Sequence, residues 1–288
     1  MPPLPGDLPW TTPAYLLIDG VSAPYLVTHL RNWGNPAHCL YSNTRWHELA
    51  DISPCLISVP TADDPLLLHF LENAAHEWGY LLFSHATKQS LCDHWRNLLT
   101  VEDPGGVQVM PRIADPAVMH PLFSLAEQAS SGRWFGPVSH VCLPDAMQGM
   151  WLRHQCPADV RTHPLKRYRF TEQEFTALGE VEFRRSVLNL TRHMQAAFPG
   201  YAASGTARQR LQLIDQIARQ AYDLGFTCEQ QMTLYANVQG YLAGQAMTDH
   251  PDIFDLLTNP SSGTHLSRVL RAAKLAEDRA TPQQGRPS

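Results

Sequence analysis

Asp19, Glu77 and Asp115 are acids set beside short apolar runs, in LLIDG, HEWGYLLFS and MPRIADP. Three carboxylates gathered at one edge of a sheet could hold a divalent cation and activate water. The chemistry they suggest is that of a metal-dependent hydrolase or nuclease, with Asp19 and Asp115 as ligands or base. The same residues have a structural explanation. Arg112, three residues before Asp115, can bind a carboxylate through both terminal nitrogens, and Asp115 can cap a helix that Pro116 opens at its first turn. Spacing alone does not choose, because acids directly after strands are also common turn formers.

The other chemistry-bearing residues give weaker patterns. Fourteen histidines are present, yet the nearest approach to HExxH, His76-Glu77-Trp78-Gly79-Tyr80, lacks the second ligand one helical turn on. His140-x-Cys142 and His154-x-Cys156 repeat an H-x-C pair that could supply four zinc ligands, without the tight C-x-x-C spacing of structural sites. No GxSxG elbow and no GxGxxG or GxxxxGK loop occurs, so neither a serine nucleophile nor a phosphate cradle is marked. Trp78-Gly79 reads as a helix end with a C′ glycine, and Phe135-Gly136-Pro137 as a tight turn into an edge strand. The six cysteines are scattered, several in apolar runs, and read as buried free thiols.

These residues belong to a chain of 288, 44% hydrophobic and 17% charged, enough for a full core in one large or two modest domains. Residues 1–164 carry 8 basic and 15 acidic side chains, net −7, and residues 165–288 carry 14 and 12, net +2. A nucleic-acid binder would concentrate basic charge on one face, so no nucleic-acid partner is expected. No apolar run approaches the roughly 20 residues of a membrane helix, and the start, MPPLPGDLPW, lacks a basic n-region. The expected location is the cytoplasm, without membrane contact.

The elements that must position the acids follow from periodicity. AYLLI, AHCLY, CLISV, YLLFS and VQVM read as strands, separated by helix-length segments at 25–33, 65–78, 88–99 and 116–128. Alternation of this kind predicts an α/β lobe, a mostly parallel sheet with covering helices, over residues 1–143. Residues 144–168, mixed in prolines and charges, read as a connection. From residue 169 the period becomes helical. Thr171 and Glu174 form a capping-box pattern, and Phe183, Val187, Leu190, Met194 and Phe198 follow on one face. A second helix runs over 206–224 with Gly225 as its stop, a third starts near Thr227, and a fourth covers 262–278. The prediction is an all-α lobe over 169–280 and a disordered tail over 281–288.

Taken in order, LLIDG at 16–20, CLY at 39–41, PCLISV at 54–59, WGYLLFS at 78–84, HWRNLL at 94–99, RIADP at 112–116 and WFGPV at 134–138 resemble the family called domain of unknown function 4123. The segment 218–244, followed by Asp252-Ile253-Phe254, resembles the C-terminal extension of such proteins. Members act as adaptor chaperones of the type VI secretion system. The resemblance therefore implies a non-enzymatic protein without metal or cofactor, whose partners are a cognate toxic effector, held through its N-terminal region, and a VgrG spike onto which the effector is loaded. An immunity protein that blocks its toxin is a further alternative. The signature positions are Asp19, Gly20, Tyr41, Pro54, Trp78, Gly79, Arg96, Arg112, Asp115, Pro116, Phe135, Gly136 and Pro137, and the resemblance assigns them to holding the fold. It names no partner-binding residue.

Overall fold

Strand β1 (Ala14–Ile18) is buried at all five positions, so both of its faces must be covered. In this computed structural model, which describes residues 1–23, 26, 28, 30, 38–158 and 168–280, β1 lies at the centre of a six-stranded sheet. The other strands are β2 (His38–Cys39), β3 (Cys55–Val59), β4 (Gly79–Phe83), β7 (His140–Asp145) and β8 (Met150–Gln155), in the order β2-β3-β1-β4-β7-β8. Strands β5 (Val101–Glu102) and β6 (Gln108–Val109) form a separate two-stranded ribbon.

Every pairing in the main sheet is antiparallel, and the expectation of a mostly parallel sheet is overturned. The reason lies in what an unbroken apolar run reports. Parallel strands read that way because helices cover both faces, but coverage, not direction, produces the pattern. Here Tyr15 and Leu17 enter one core with Trp95, Phe123 and Trp134, while Leu16 and Ile18 enter the opposite core with Leu67, Phe70 and Trp151. Strand β4 divides the same way, Tyr80 and Leu82 against Leu81 and Phe83.

VQVM falls on the β5–β6 ribbon instead of the main sheet. Residues 144–155, read as part of the connection, lie in the β7–β8 hairpin. Pro144 and the alternating exposure of β8 hide the strand signal there. The helix expected at 25–33 lies largely outside the described residues, although Leu26 and Leu30 are buried. The tail at 281–288 and residues 159–167 of the connection lie outside them as well.

Covering helices start where side chains satisfy their first amides. Asp64 accepts from Leu66 N (2.9 Å) at α1 (Pro65–Glu72), and Thr87 from Ser90 N (3.2 Å) at α2 (Lys88–Asn97). Asp115 accepts from Ala117 N (3.0 Å) at α3 (Pro116–Gln128). Helix α4 (Glu172–Ala197) opens with the Thr171–Glu174 capping box, both bonds present at 2.8 and 3.1 Å.

The chain divides into two compact units, Met1–Val181 and Glu182–Ser288, with the boundary inside α4. The second unit is helical. It holds α5 (Ala207–Asp223), capped by Thr206 and Gln209, α6 (Glu229–Tyr241), α7 (Pro251–Thr258) and α8 (His265–Ala280). Gly225, at φ +87°, stops α5 as its position suggests. Cys228, one residue beyond the expected Thr227, is the N-cap of α6, and α7 is a helix that the periodicity did not mark. No helix among the described residues is long and apolar enough to cross a membrane.

Gly79 is not a helix stop. The left-handed residue there is Glu77, at φ +53°, and Gly79 begins β4 opposite Ile18. A Cβ at this position would strike the Leu17 carbonyl oxygen on the central strand. Gly79→Ala should lower the unfolding free energy by more than about 3 kcal/mol or leave the protein insoluble. Gly6→Ala, with nothing within 4 Å of the added carbon, should stay within about 0.5 kcal/mol of the parent. Urea denaturation of the two variants checks this, and a fully stable Gly79→Ala protein would refute the close approach.

Candidate functional site

The end of β1 collects the residues that the sequence singled out. Asp19 closes the strand, and its carboxylate accepts from Val21 N and from the Ser22 hydroxyl, both at 3.1 Å. The Arg112 guanidinium pairs with Asp19, donates to Ser22 Oγ (2.8 Å), and lies 3.5 Å from Asp115 Oδ2. The Asp19 and Asp115 side chains are 6% and 12% exposed, against 34% for Arg112. The second Asp115 oxygen caps α3 and Pro116 occupies the first turn, so this carboxylate serves helix and arginine together.

Neighbouring groups tie the cluster to the sheet. Asp19 N donates to the Trp78 carbonyl (2.7 Å), and the Tyr80 hydroxyl donates to the Ile113 carbonyl (2.7 Å), two residues before Asp115. Burial, with the Asp115 charge beside it, holds the Tyr80 hydroxyl well above the usual tyrosine range. Burial also raises Tyr41, with the Asp19 charge adding to it and Arg112 opposing. Gly20 lets the backbone pass against Ser53 O, where a Cβ would stand at 2.6 Å. Pro54 accepts from Leu40 N (2.9 Å), and Arg96 Nε donates to the Leu40 carbonyl (3.2 Å).

The signature residues do not form one constellation. Ser84 Oγ donates to the Pro137 carbonyl (2.6 Å) at the other end of β4, and Phe135 stacks on Phe123 with ring centroids 4.8 Å apart. Gly136, at φ +54°, lies against the His94 ring, which leaves no room for a side chain. The turn leads into β7, an interior strand between β4 and β8, and not into an edge strand. His94 Nε2 lies 3.2 Å from the Trp134 carbonyl, and burial pushes this imidazole down to about 4.

Chemically the arrangement binds charge instead of using it. A guanidinium already sits between Asp19 and Asp115, where a divalent ion would need to stand, and Glu77 accepts from Ala146 N (2.7 Å). The two H-x-C pairs diverge across the sheet: Cys142 packs into the core on one face, and His154 contacts Phe123 on the other. Four zinc ligands cannot converge from there. Among the described residues no group of three or more His, Cys, Asp or Glu is placed to hold a metal. All six cysteines are free thiols, and Cys55, Cys92 and Cys142 are buried.

Two features escaped the sequence. Glu127 Oε2 lies 2.7 Å from His154 Nδ1, and His154 Nε2 lies 2.9 Å from His120 Nδ1, a chain joining α3 to β8. The second is a pocket of about 320 Å³ lined by Arg45, Trp46, Arg96 and Tyr168. Trp134 and Trp151 are buried, and Trp33 lies outside the described residues. Trp46 keeps an accessible face with the Arg45 guanidinium 4.6 Å from its ring centroid. No residue spacing marks either feature, because each is assembled from separate segments.

Residues 14–131 match the family described as "Domain of unknown function (DUF4123)", the span that holds β1 to α3 and the Asp19–Arg112–Asp115 cluster. Along nearly its whole length the chain is 27% identical, over 275 residues, to "Accessory protein VasW" of Vibrio cholerae serotype O1, covering 94% of this chain and 90% of the relative. No solved structure gives a significant match.

Two measurements test the roles found here. Arg112→Met should cost about 2 kcal/mol, since it leaves the buried Asp19 without its counter-charge, and Asp19→Asn should cost less, about 1 kcal/mol, since Arg112 keeps Asp115. The double variant should cost clearly less than the sum, and strict additivity in urea melts would show the pair to be uncoupled. His94 is neutral when folded, with a pKa of about 4, and takes up its proton near 6.5 when unfolded. Its contribution is complete above pH 6.5 and is lost as pH falls toward 4, by at most about 1.4 kcal/mol per pH unit, because one group takes up one proton. His94→Gln should flatten that slope in denaturation curves taken across the window, and an unchanged slope would remove His94 from the account.

Proposed function

We propose that this protein is an adaptor chaperone of the type VI secretion system, which binds a cognate toxic effector through the effector's N-terminal region and assists its loading onto a VgrG spike. The observation that carries the reading is similarity along nearly the whole chain to a protein named as an accessory protein, together with the domain over residues 14–131. The ordered motif set of that domain carries the link to secretion. Saturation of Asp19 and Asp115 by Arg112 supports work by binding and not by hydrolysis. On this reading the signature residues from Asp19 to Pro137 hold the scaffold, and the protein acts in the cytoplasm, where the effector is made. An adaptor stabilises its effector by covering apolar surface exposed before secretion.

Co-expression with the toxin and the spike protein encoded beside it should give a complex that survives gel filtration and should raise the soluble yield of the toxin. Absence of a complex with every neighbouring effector and spike would overturn the proposal. Binding confined to the toxic domain, with loss of toxicity, would instead identify an immunity protein.

A further inference from the structure

The pocket beside the β5–β6 ribbon holds a cation without an acidic partner among the described residues. Arg45 Nη2 donates to Thr100 Oγ1 (3.2 Å) and to Gln108 Oε1 (3.4 Å), both neutral, and no carboxylate pairs with it among the described residues. The acid in the lining, Glu102, is engaged by Arg169 at 3.3 Å. Arg96 adds a second guanidinium, which also lies 3.6 Å from Asp93 Oδ1, so Arg45 is the principal anchor, and Trp46, Leu99 and Tyr168 supply apolar surface.

The platform is rigid before anything binds. Thr44 Oγ1 donates to the Tyr41 carbonyl (2.7 Å) and accepts from Trp46 N (3.1 Å), and His47 N donates to the Thr44 carbonyl (3.2 Å). Trp46 packs partly into the core that contains Trp95 and Phe123. Stacking of Arg45 on Trp46 fixes the fork of N–H groups, so little side-chain entropy remains to be lost on binding. Elsewhere in the first unit, Asp19, Asp115 and Glu174 are matched internally by Arg112 and Arg133.

We infer that this pocket is a docking site for a protein partner through an acidic side chain flanked by apolar ones, the carboxylate meeting Arg45 and Arg96 and the apolar neighbours lying on Trp46, Leu99 and Tyr168. The composition, an arginine fork over a tryptophan with an apolar floor, is that of an interface anchor. Charge complementarity selects an acidic segment over a basic one. The inference rests on the reading of the chain as an adaptor that grips protein partners, and it locates one of the grips.

The test uses the full chain and two capped tripeptides, acetyl-Leu-Asp-Phe-amide and acetyl-Leu-Lys-Phe-amide, with inorganic phosphate as a third probe. The Trp46 indole N–H signal, assigned by Trp46→Phe, is followed by NMR. The acidic peptide should shift it saturably, and the lysine peptide should bind at least about tenfold more weakly. Arg45→Glu and the milder Arg45→Gln should weaken the acidic peptide by a similar factor, whereas Arg153→Glu, outside the pocket, should leave it unchanged. No saturable shift, equal response to both peptides, or the same shift from phosphate alone would each overturn the inference. Because the probes are synthetic, failure to find an effector complex would sink the adaptor reading without deciding this result, and the reverse holds too.

Discussion

Strand β1 feeds two cores at once, and the first unit depends on that. Its odd and even positions enter opposite hydrophobic clusters, so neither face can tolerate a polar side chain. Each large side chain buried there contributes on the order of 1.5–3 kcal/mol. The strand is also bonded on both edges, to β3 and β4. Nothing about it can move without disturbing four sets of contacts, and the two adjoining backbones come so close that Gly79 has no alternative.

A strand so enclosed must end where water is scarce, and its last polar residue, Asp19, then requires a counter-charge. Arg112 supplies it from 93 residues away and carries Asp115, and through it α3, to the same place. Glu174 serves similarly on another side, accepting from Trp134 Nε1 (2.5 Å) and from Thr171 N (2.8 Å). These internal pairings explain why the acids of the sequence look catalytic and act as structural ties. Arg45 is different, since its charge faces a pocket and, among the described residues, meets only neutral acceptors. The contrast between matched and unmatched charge separates the scaffold from the surface proposed for partners.

The legibility of the sequence varied with how local each signal is. Capping at Thr171–Glu174 and Thr206–Gln209, the stop at Gly225 and the amphipathic faces of α4, α5 and α6 depend on residues within a turn or two of one another. They could be read directly. Strands β1, β3 and β4 were also visible as apolar runs, but the β7–β8 hairpin was masked by Pro144 and by the exposed alternate positions of β8. The acid cluster was legible as a set of residue types. That Arg112 binds a carboxylate and Asp115 caps a helix was one of two open possibilities, but that the arginine pairs with both aspartates was not marked, and the pocket around Trp46 gave no signal, since its walls come from four separate stretches of chain.

By itself the sequence determined which segments are apolar and where helices start and stop, because these depend on residue type and near spacing. Tertiary structure decided strand direction, since an apolar run records that both faces are covered but not which way its neighbours run. It also decided that Arg112 lies between Asp19 and Asp115, and that Arg45 is left facing a pocket. Pairings across so many residues are set by how the sheet and its helices pack, a long-range constraint that no local pattern contains.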